Sequence, residues 1–193
     1  MVPSIKGSLF AVVVEELLEH LDAGRISRDE AEVVLRQEDL AAIEEKIRVG
    51  TWYPIDLHDR ILSLLCQTVG GGHREYLVEG GRRTADALAA SGLYAQLEVK
   101  GDNSRFRKFA RILVTLSGAI YSFSSWRLDK SDAENGHFII DVTDATALPD
   151  LVVARAEGFV ERAIANAFGG EWQVKSQRPS SDHILLEGRR IGL

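Results

Sequence analysis

One cysteine, Cys66, stands in 193 residues, which excludes a disulfide framework and any zinc site built from several thiolates. Long apolar runs are missing too. The first, from Leu9 to Val14, is cut off by Glu15 and Glu16, too short to span a bilayer and without the flanks of a secretory signal. Basic residues are the minority, 23 Lys and Arg against 29 Asp and Glu, for a formal net charge of −6. Such a chain is not expected to gather nucleic-acid phosphates or an anionic membrane surface. No repeat, low-complexity stretch or linker interrupts it. What is there suits a folded protein: 45% hydrophobic and 27% charged residues, and enough chain to bury a sizeable core. The expectation is a cytoplasmic protein with one domain over 1–193, helical over about 1–118 and sheet-forming over about 119–193.

Apolar residues recur near a period of 3.6 through the first part. Residues 9–21 form one such run, ended by Gly24. Ser27-Arg28-Asp29-Glu30 has the spacing of a capping box and opens a stretch to Ile47 that breaks near Gln37–Asp39. Its polar side carries Glu32, Glu38, Glu44 and Glu45. Pro54 restricts Tyr53 to extended conformations, so Trp52 and Tyr53 are expected to form a rigid corner with their rings in the core. A helix over 56–69 follows, burying Ile61, Leu62, Leu64 and Leu65, and Gly70-Gly71-Gly72 breaks it. The spacing predicts further helices over 74–91, running through Gly80-Gly81 and capped by Gly92, and over 103–117, with Phe106 and Phe109 inward.

From Tyr121 the period falls to 2. In 121–128, Tyr121, Phe123, Ser125 and Arg127 share one face of a predicted strand. Asn135-Gly136 marks a hairpin turn, and the returning strand 137–142 points Phe138, Ile140 and Val142 one way. Pro149-Asp150 opens a helix to Phe168 with an apolar stripe of Val152, Ala156, Phe159, Ala163 and Ala167. Strands over 171–177 and 183–189 complete a β-β-α-β-β module. The fold class expected is α+β, an N-terminal helical layer packed on a four-stranded antiparallel sheet.

Chemistry is sparsely signalled. None of His20, His58, His73, His137 and His183 is paired at i, i+4, so no metal site is expected. His58, between Asp56 and Asp59, reads as an exposed first-turn histidine. Gly70-Gly71-Gly72-His73 lacks the lysine and hydroxyl of a phosphate loop and reads as a connector. Ser122, Ser124 and Ser125 have no Gly-x-Ser-x-Gly elbow, so a hydrolase is not expected. Cys66, among leucines, is expected to be buried and inert. Lys100, Arg105, Arg107, Lys108 and Arg111 form one basic cluster, a solvated face or a docking surface for acidic groups.

Trp52-Tyr53-Pro54-Ile55, the Gly80–Ala85 stretch and the terminal β-β-α-β-β module together resemble a protein family found mainly in myxobacteria. More remotely they resemble the superfamily of haem–nitric-oxide-binding domains, 4-vinyl-reductase sensor domains and TRAPP transport-particle subunits. That resemblance implies an apolar cavity between helices and sheet and dimerisation through helices. Haem members carry a proximal histidine and a Tyr-x-Ser-x-Arg propionate clamp. Here Tyr121-Ser122-Phe123-Ser124-Ser125-Trp126-Arg127 spaces those ingredients differently, so no haem or other cofactor is expected. The resulting expectation is a non-catalytic binding module, a soluble sensor or scaffold holding an apolar small molecule or lipid. Candidate ligand contacts are Trp52, Tyr53, Cys66, Tyr121 and Phe123. A homodimer or a related subunit is the expected partner, through Arg107, Lys108 and Arg111. A protein–protein interaction subunit with a solid core is the alternative, and an enzyme the third.

Overall fold

The structure is a computed structural model that describes residues 2–92, 114–115, 117–132 and 136–192. Strand β1 (Ser4–Lys6) leads straight into helix α1 (Gly7–Asp22), which buries Phe10, Val13, Val14 and Leu17 at i, i+3, i+4 and i+7. The capping box closes as its spacing implies: the Ser27 amide donates to Glu30 Oε2 at 2.8 Å, and the Glu30 amide donates to Ser27 Oγ at 3.2 Å. It starts α2 (Arg28–Val34), and the expected break separates α2 from α3 (Gln37–Glu44). Strand β2 (Trp52–Pro54) pairs antiparallel with β1, and α4 (Ile55–Thr68) follows directly. Helix α5 (Arg74–Ser91) has the limits its sequence predicts and ends on left-handed Gly92, φ 67°.

The C-terminal part runs β3 (Ser125–Asp132), β4 (His137–Thr143), a 3₁₀ turn (Ala145–Ala147), α6 (Asp150–Phe168), β5 (Glu171–Ser180) and β6 (His183–Ile191). The four strands form one antiparallel sheet in the order β3-β4-β6-β5. The fold is α+β. Phe138, Ile140 and Val142 are buried on one face of β4, and opposite them stand Gly188, Leu186 and Ile184 of β6. A Cβ on Gly188 would fall 2.0 Å from Phe138 Cζ, so the phenyl ring lies across that glycine.

Helix α6 departs from the single apolar stripe read in its sequence. It is buried on two sides, between α5 and the sheet, and Arg155, Glu157 and Glu161 are buried with it. Glycines let α5 and α6 cross with their backbones in contact. A Cβ on Gly81 would lie 1.9 Å from the Arg155 carbonyl oxygen, and one on Gly158 would lie 1.7 Å from that of Val78. The buried carboxylates are fully employed. Glu157 accepts two bonds from Arg74 at 2.7 and 2.6 Å and one from the Ser176 amide at 2.6 Å. Glu161 accepts from Arg82 at 2.9 and 2.6 Å and from the Val174 amide at 2.8 Å. Since β5 is an edge strand, these two glutamates cover amides that would otherwise be unpaired.

The strand predicted from Tyr121 begins only at Ser125 because the residues before it pair elsewhere. Tyr121 bridges Ile5, the Ser122 amide donates to the Ser4 carbonyl at 3.0 Å, and the Ser4 amide donates to Ser122 Oγ at 3.0 Å. The chain start thus ties the helical part to the sheet module. Residues 117–120 are helical. The rest of the helix predicted over 103–117, except 114–115, lies outside the described residues, as does Asn135 of the predicted turn.

Candidate functional site

Where β1, α1, α4, α5 and α6 converge on Tyr121 and Trp126, the side chains leave a cavity of about 40 Å³. Ile5, Leu9, Val13, Ile120, Val152 and Val160 make its wall apolar, while His58, Thr84, Tyr121 and Arg155 bring polar groups to it.

Arg155 reaches the cavity because it sits on the apolar stripe of α6, three residues after Val152 and four before Phe159. It is only 6% exposed. Its Nη2 donates to Glu16 Oε2 at 2.8 Å and to Thr84 Oγ1 at 3.1 Å. Thr84 accepts that bond because its own hydroxyl donates to the Gly80 carbonyl at 2.8 Å. The guanidinium also packs on Gly80, where a Cβ would lie 2.7 Å from Nη1. Glu16 is shared further, accepting from the Tyr76 hydroxyl at 2.8 Å and from Arg83 at 2.7 Å. Burial pushes the Glu16 carboxyl up, but Arg155, Tyr76 and Arg83 together outweigh it and hold Glu16 below the usual range. Two cations therefore answer to one carboxylate.

His58 corrects the sequence reading. It is not an exposed first-turn residue but is 3% exposed, on the same inward face of α4 as Ile61 and Leu62. Its ring tilts against Phe10, with centroids 6.2 Å apart. Burial first, and the charge of Arg155 second, push its pKa down to about 3, so the imidazole is neutral at ordinary pH. His58 Nδ1 and Arg155 Nε and Nη1 are buried without hydrogen-bond partners. Orphaned buried polar atoms are uncommon and call for an explanation. Tyr121, stacked on Trp126 with centroids 5.6 Å apart, is likewise buried, and burial raises its phenol pKa.

The five ligand candidates scatter. Tyr121 lines the cavity; Trp52, Tyr53, Cys66 and Phe123 do not. Trp52 is 41% exposed rather than in the core, because the corner turns its ring outward beneath the Lys6 ammonium, 4.3 Å from the ring centre. Tyr53 is the ring that packs inward, stacked on Phe10 at 4.5 Å with its hydroxyl accepting from the Arg48 amide at 2.9 Å. Cys66 is buried, its thiol pKa raised by desolvation and its Sγ 3.6 Å from the His73 carbonyl oxygen. Phe123 meets Tyr121 edge-on at 6.3 Å. Lys100, Arg105, Arg107, Lys108 and Arg111 lie outside the described residues. Thr84 and Arg155 carried no mark in the sequence reading. The signal was present for Arg155, a charged residue in register with an apolar stripe, and for Gly80-Gly81 and Gly158, mid-helix glycines that imply a close crossing.

Among the described residues, no group of three or more His, Cys, Asp or Glu is placed to hold a metal ion, and no helix is long and apolar enough to cross a membrane. The molecule is an α+β protein with a small, largely apolar cavity between helices and sheet. No protein-family model and no curated protein matches the chain. Solved structures do match in fold. An Fe(II) unliganded H-NOX protein from K. algicida aligns over 98% of both chains, with 10% identity and a TM-score of 0.66. An H-NOX protein from S. oneidensis in the Fe(II)NO state aligns over 97% of this chain and 100% of that one, with 13% identity and a TM-score of 0.66. The I5F mutant of T. tengcongensis H-NOX aligns over 97% and 98%, with 14% identity and a TM-score of 0.63. At such identities the likeness establishes the fold.

A haem is the group this fold implies, since the neighbours are described in Fe(II) states and for haem distortion. The described residues do not fit one. The cavity, about 40 Å³, is far below the volume on the order of 300 Å³ or more of pockets that hold organic ligands of that size. The clamp residues also diverge: Tyr121 is in the core against Trp126, whereas Arg127 is exposed on the sheet and paired with Asp141 at 2.6 Å.

Proposed function

We propose that this protein is a non-catalytic binding module, a sensor that holds a small molecule in the cavity beside His58 and Arg155. The observation that carries this reading is a largely apolar cavity to whose wall two buried polar side chains, His58 and Arg155, contribute. A folded protein ordinarily satisfies such groups or replaces them by apolar ones. A site kept polar at one end and apolar elsewhere is the usual construction for orienting a small ligand. The H-NOX fold agrees with a sensor role, and the size of the cavity points to a ligand of a few non-hydrogen atoms.

The test is a thermal-shift screen of small fragments against the wild type and an Ala156→Phe variant, whose added ring occupies the cavity that Ala156 lines. Ligands that bind only the folded state raise Tm in a concentration-dependent way. The reading expects fragments that raise Tm in the wild type and not in the variant. If every fragment acts equally on both proteins, or none acts, it fails.

A further inference from the structure

Away from the cavity, the β1–β2 ribbon and the loop leading into β2 carry an exposed apolar tip. Residues 48–52 are exposed in succession, and the Thr51 amide donates to the Arg48 carbonyl at 3.0 Å, closing a tight turn with Val49 and Gly50 at its tip. A Cβ on Gly50 would meet nothing within 4 Å, so the tip stands clear of the rest of the molecule. Val49 is 52% exposed there, and Trp52 turns outward just after it. With Val2, on the chain entering β1, they are three of the five exposed large hydrophobic side chains of the described residues, so exposed apolar surface gathers on this ribbon.

Charge gathers there with one sign. Neither 1–14 nor 46–55 contains an acidic residue, while Lys6, Lys46 and Arg48 fall within them; Glu45 and Asp56 stand just outside the second stretch. Most arginines of the described residues are held by a carboxylate, but Lys6, Lys46 and Arg48 are held by none. The Lys6 ammonium instead lies 4.3 Å from the centre of the Trp52 ring, setting a cation beside the indole.

We infer that this turn docks reversibly on an anionic phospholipid bilayer, with Val49 and Trp52 entering the headgroup region and Lys6, Lys46 and Arg48 among the lipid phosphates. Tryptophan favours that interface, where its ring is partly buried and its N–H stays wet. A folded protein partner, a second copy included, ordinarily covers about 800 Å² of each surface, which a few side chains on a convex turn do not supply. A bilayer accepts a small apolar insertion reinforced by charge. The net charge of −6 argues against nonspecific attraction of the whole molecule, but charges more than about 8 Å away are largely screened at physiological ionic strength, so the local cations govern contact.

The experiment pellets the protein with vesicles of phosphatidylcholine alone or with 30% phosphatidylserine, and records tryptophan emission. Trp126 and Trp172 are buried, so a change in emission reports Trp52. Each cation near an anionic membrane strengthens binding by roughly fivefold, so the three should favour the serine-containing vesicles by at least tenfold. Binding should shift the emission to the blue and allow quenching by brominated lipid. Val49→Asp, and Lys46→Glu with Arg48→Glu, change exposed side chains and should each weaken binding at least tenfold with Tm unchanged. No pelleting with anionic vesicles, equal pelleting with both kinds, or pelleting without a change in emission overturns the inference. Binding of poly-glutamate but not vesicles, lost on reversing Lys46 and Arg48, overturns it in favour of an acidic protein partner. The cavity reading is untouched by any of these results.

Discussion

The buried neutral histidine should make itself felt as acid sensitivity. An unfolded chain protonates His58 near its ordinary pKa of 6.5, whereas burial and Arg155 lower the folded value to about 3. Between those limits the unfolded state binds a proton that the folded state refuses, so stability falls as pH falls from 6.5 towards 3. Each unit is worth about 1.36 kcal/mol, giving about 3 kcal/mol by pH 4.5 and about 5 kcal/mol in full. A domain whose total stability is on the order of 5–15 kcal/mol would register that loss plainly. The assay is urea denaturation of wild type and His58→Gln at pH 7.0 and pH 4.5. Gln keeps a polar side chain of similar size and removes the titration. Carboxylates such as Glu157, where burial raises the pKa but bonds from Arg74 and Ser176 hold it below the usual range, add a further acid loss common to both proteins. The difference between them isolates His58: the wild type should lose about 3 kcal/mol more than the variant over this interval. Equal losses, or an imidazole that titrates near 6.5 by NMR, would refute the burial argument.

Three further outcomes follow from the packing. Gly158→Ala should destabilise by about 1–3 kcal/mol or more, because its Cβ meets the Val78 carbonyl and only backbone movement can make room, whereas Gly50→Ala, facing open space, should change little; urea midpoints of the two variants check this. Glu161→Ala should cost about 3 kcal/mol by the same assay, since it leaves Arg82 without its buried partner and the Val174 amide on the sheet edge unpaired. Trp52→Ala should cost about 1 kcal/mol rather than the 3–5 kcal/mol of a core aromatic, since its exposed ring gives up mainly the Lys6 contact; a loss of core size would contradict the outward turn of this residue.

Local signals carried the element order well, because each acts over a few residues. The Ser27–Glu30 capping box, the breaker at Gly70-Gly71-Gly72, Gly92 at the end of α5 and the alternation of Phe138, Ile140 and Val142 are all decided within one or two turns of chain. The site was not legible in that way. His58 looks exposed beside Asp56 and Asp59, and only the packing of α4 on α1 and α6 turns it inward. Arg155, Glu157 and Glu161 look like the polar side of an amphipathic helix, yet α6 is covered on both sides and its charges are answered by Glu16, Arg74 and Arg82 from other elements. Partners separated by 79 to 139 positions leave no periodic trace. The same reason explains Tyr121: pairing with Ile5 at the chain start overrode a local strand preference.

The central claim is that the cavity beside His58 and Arg155 takes a ligand, and methyl NMR of the wild type against Ala156→Phe tests it most directly. With the tightest-binding fragment, saturable shifts should appear at the Ile120 and Val152 methyls of the wild type and vanish in the variant, with both proteins folded. Shifts of equal size in both proteins, or none at these methyls in the wild type, would contradict it.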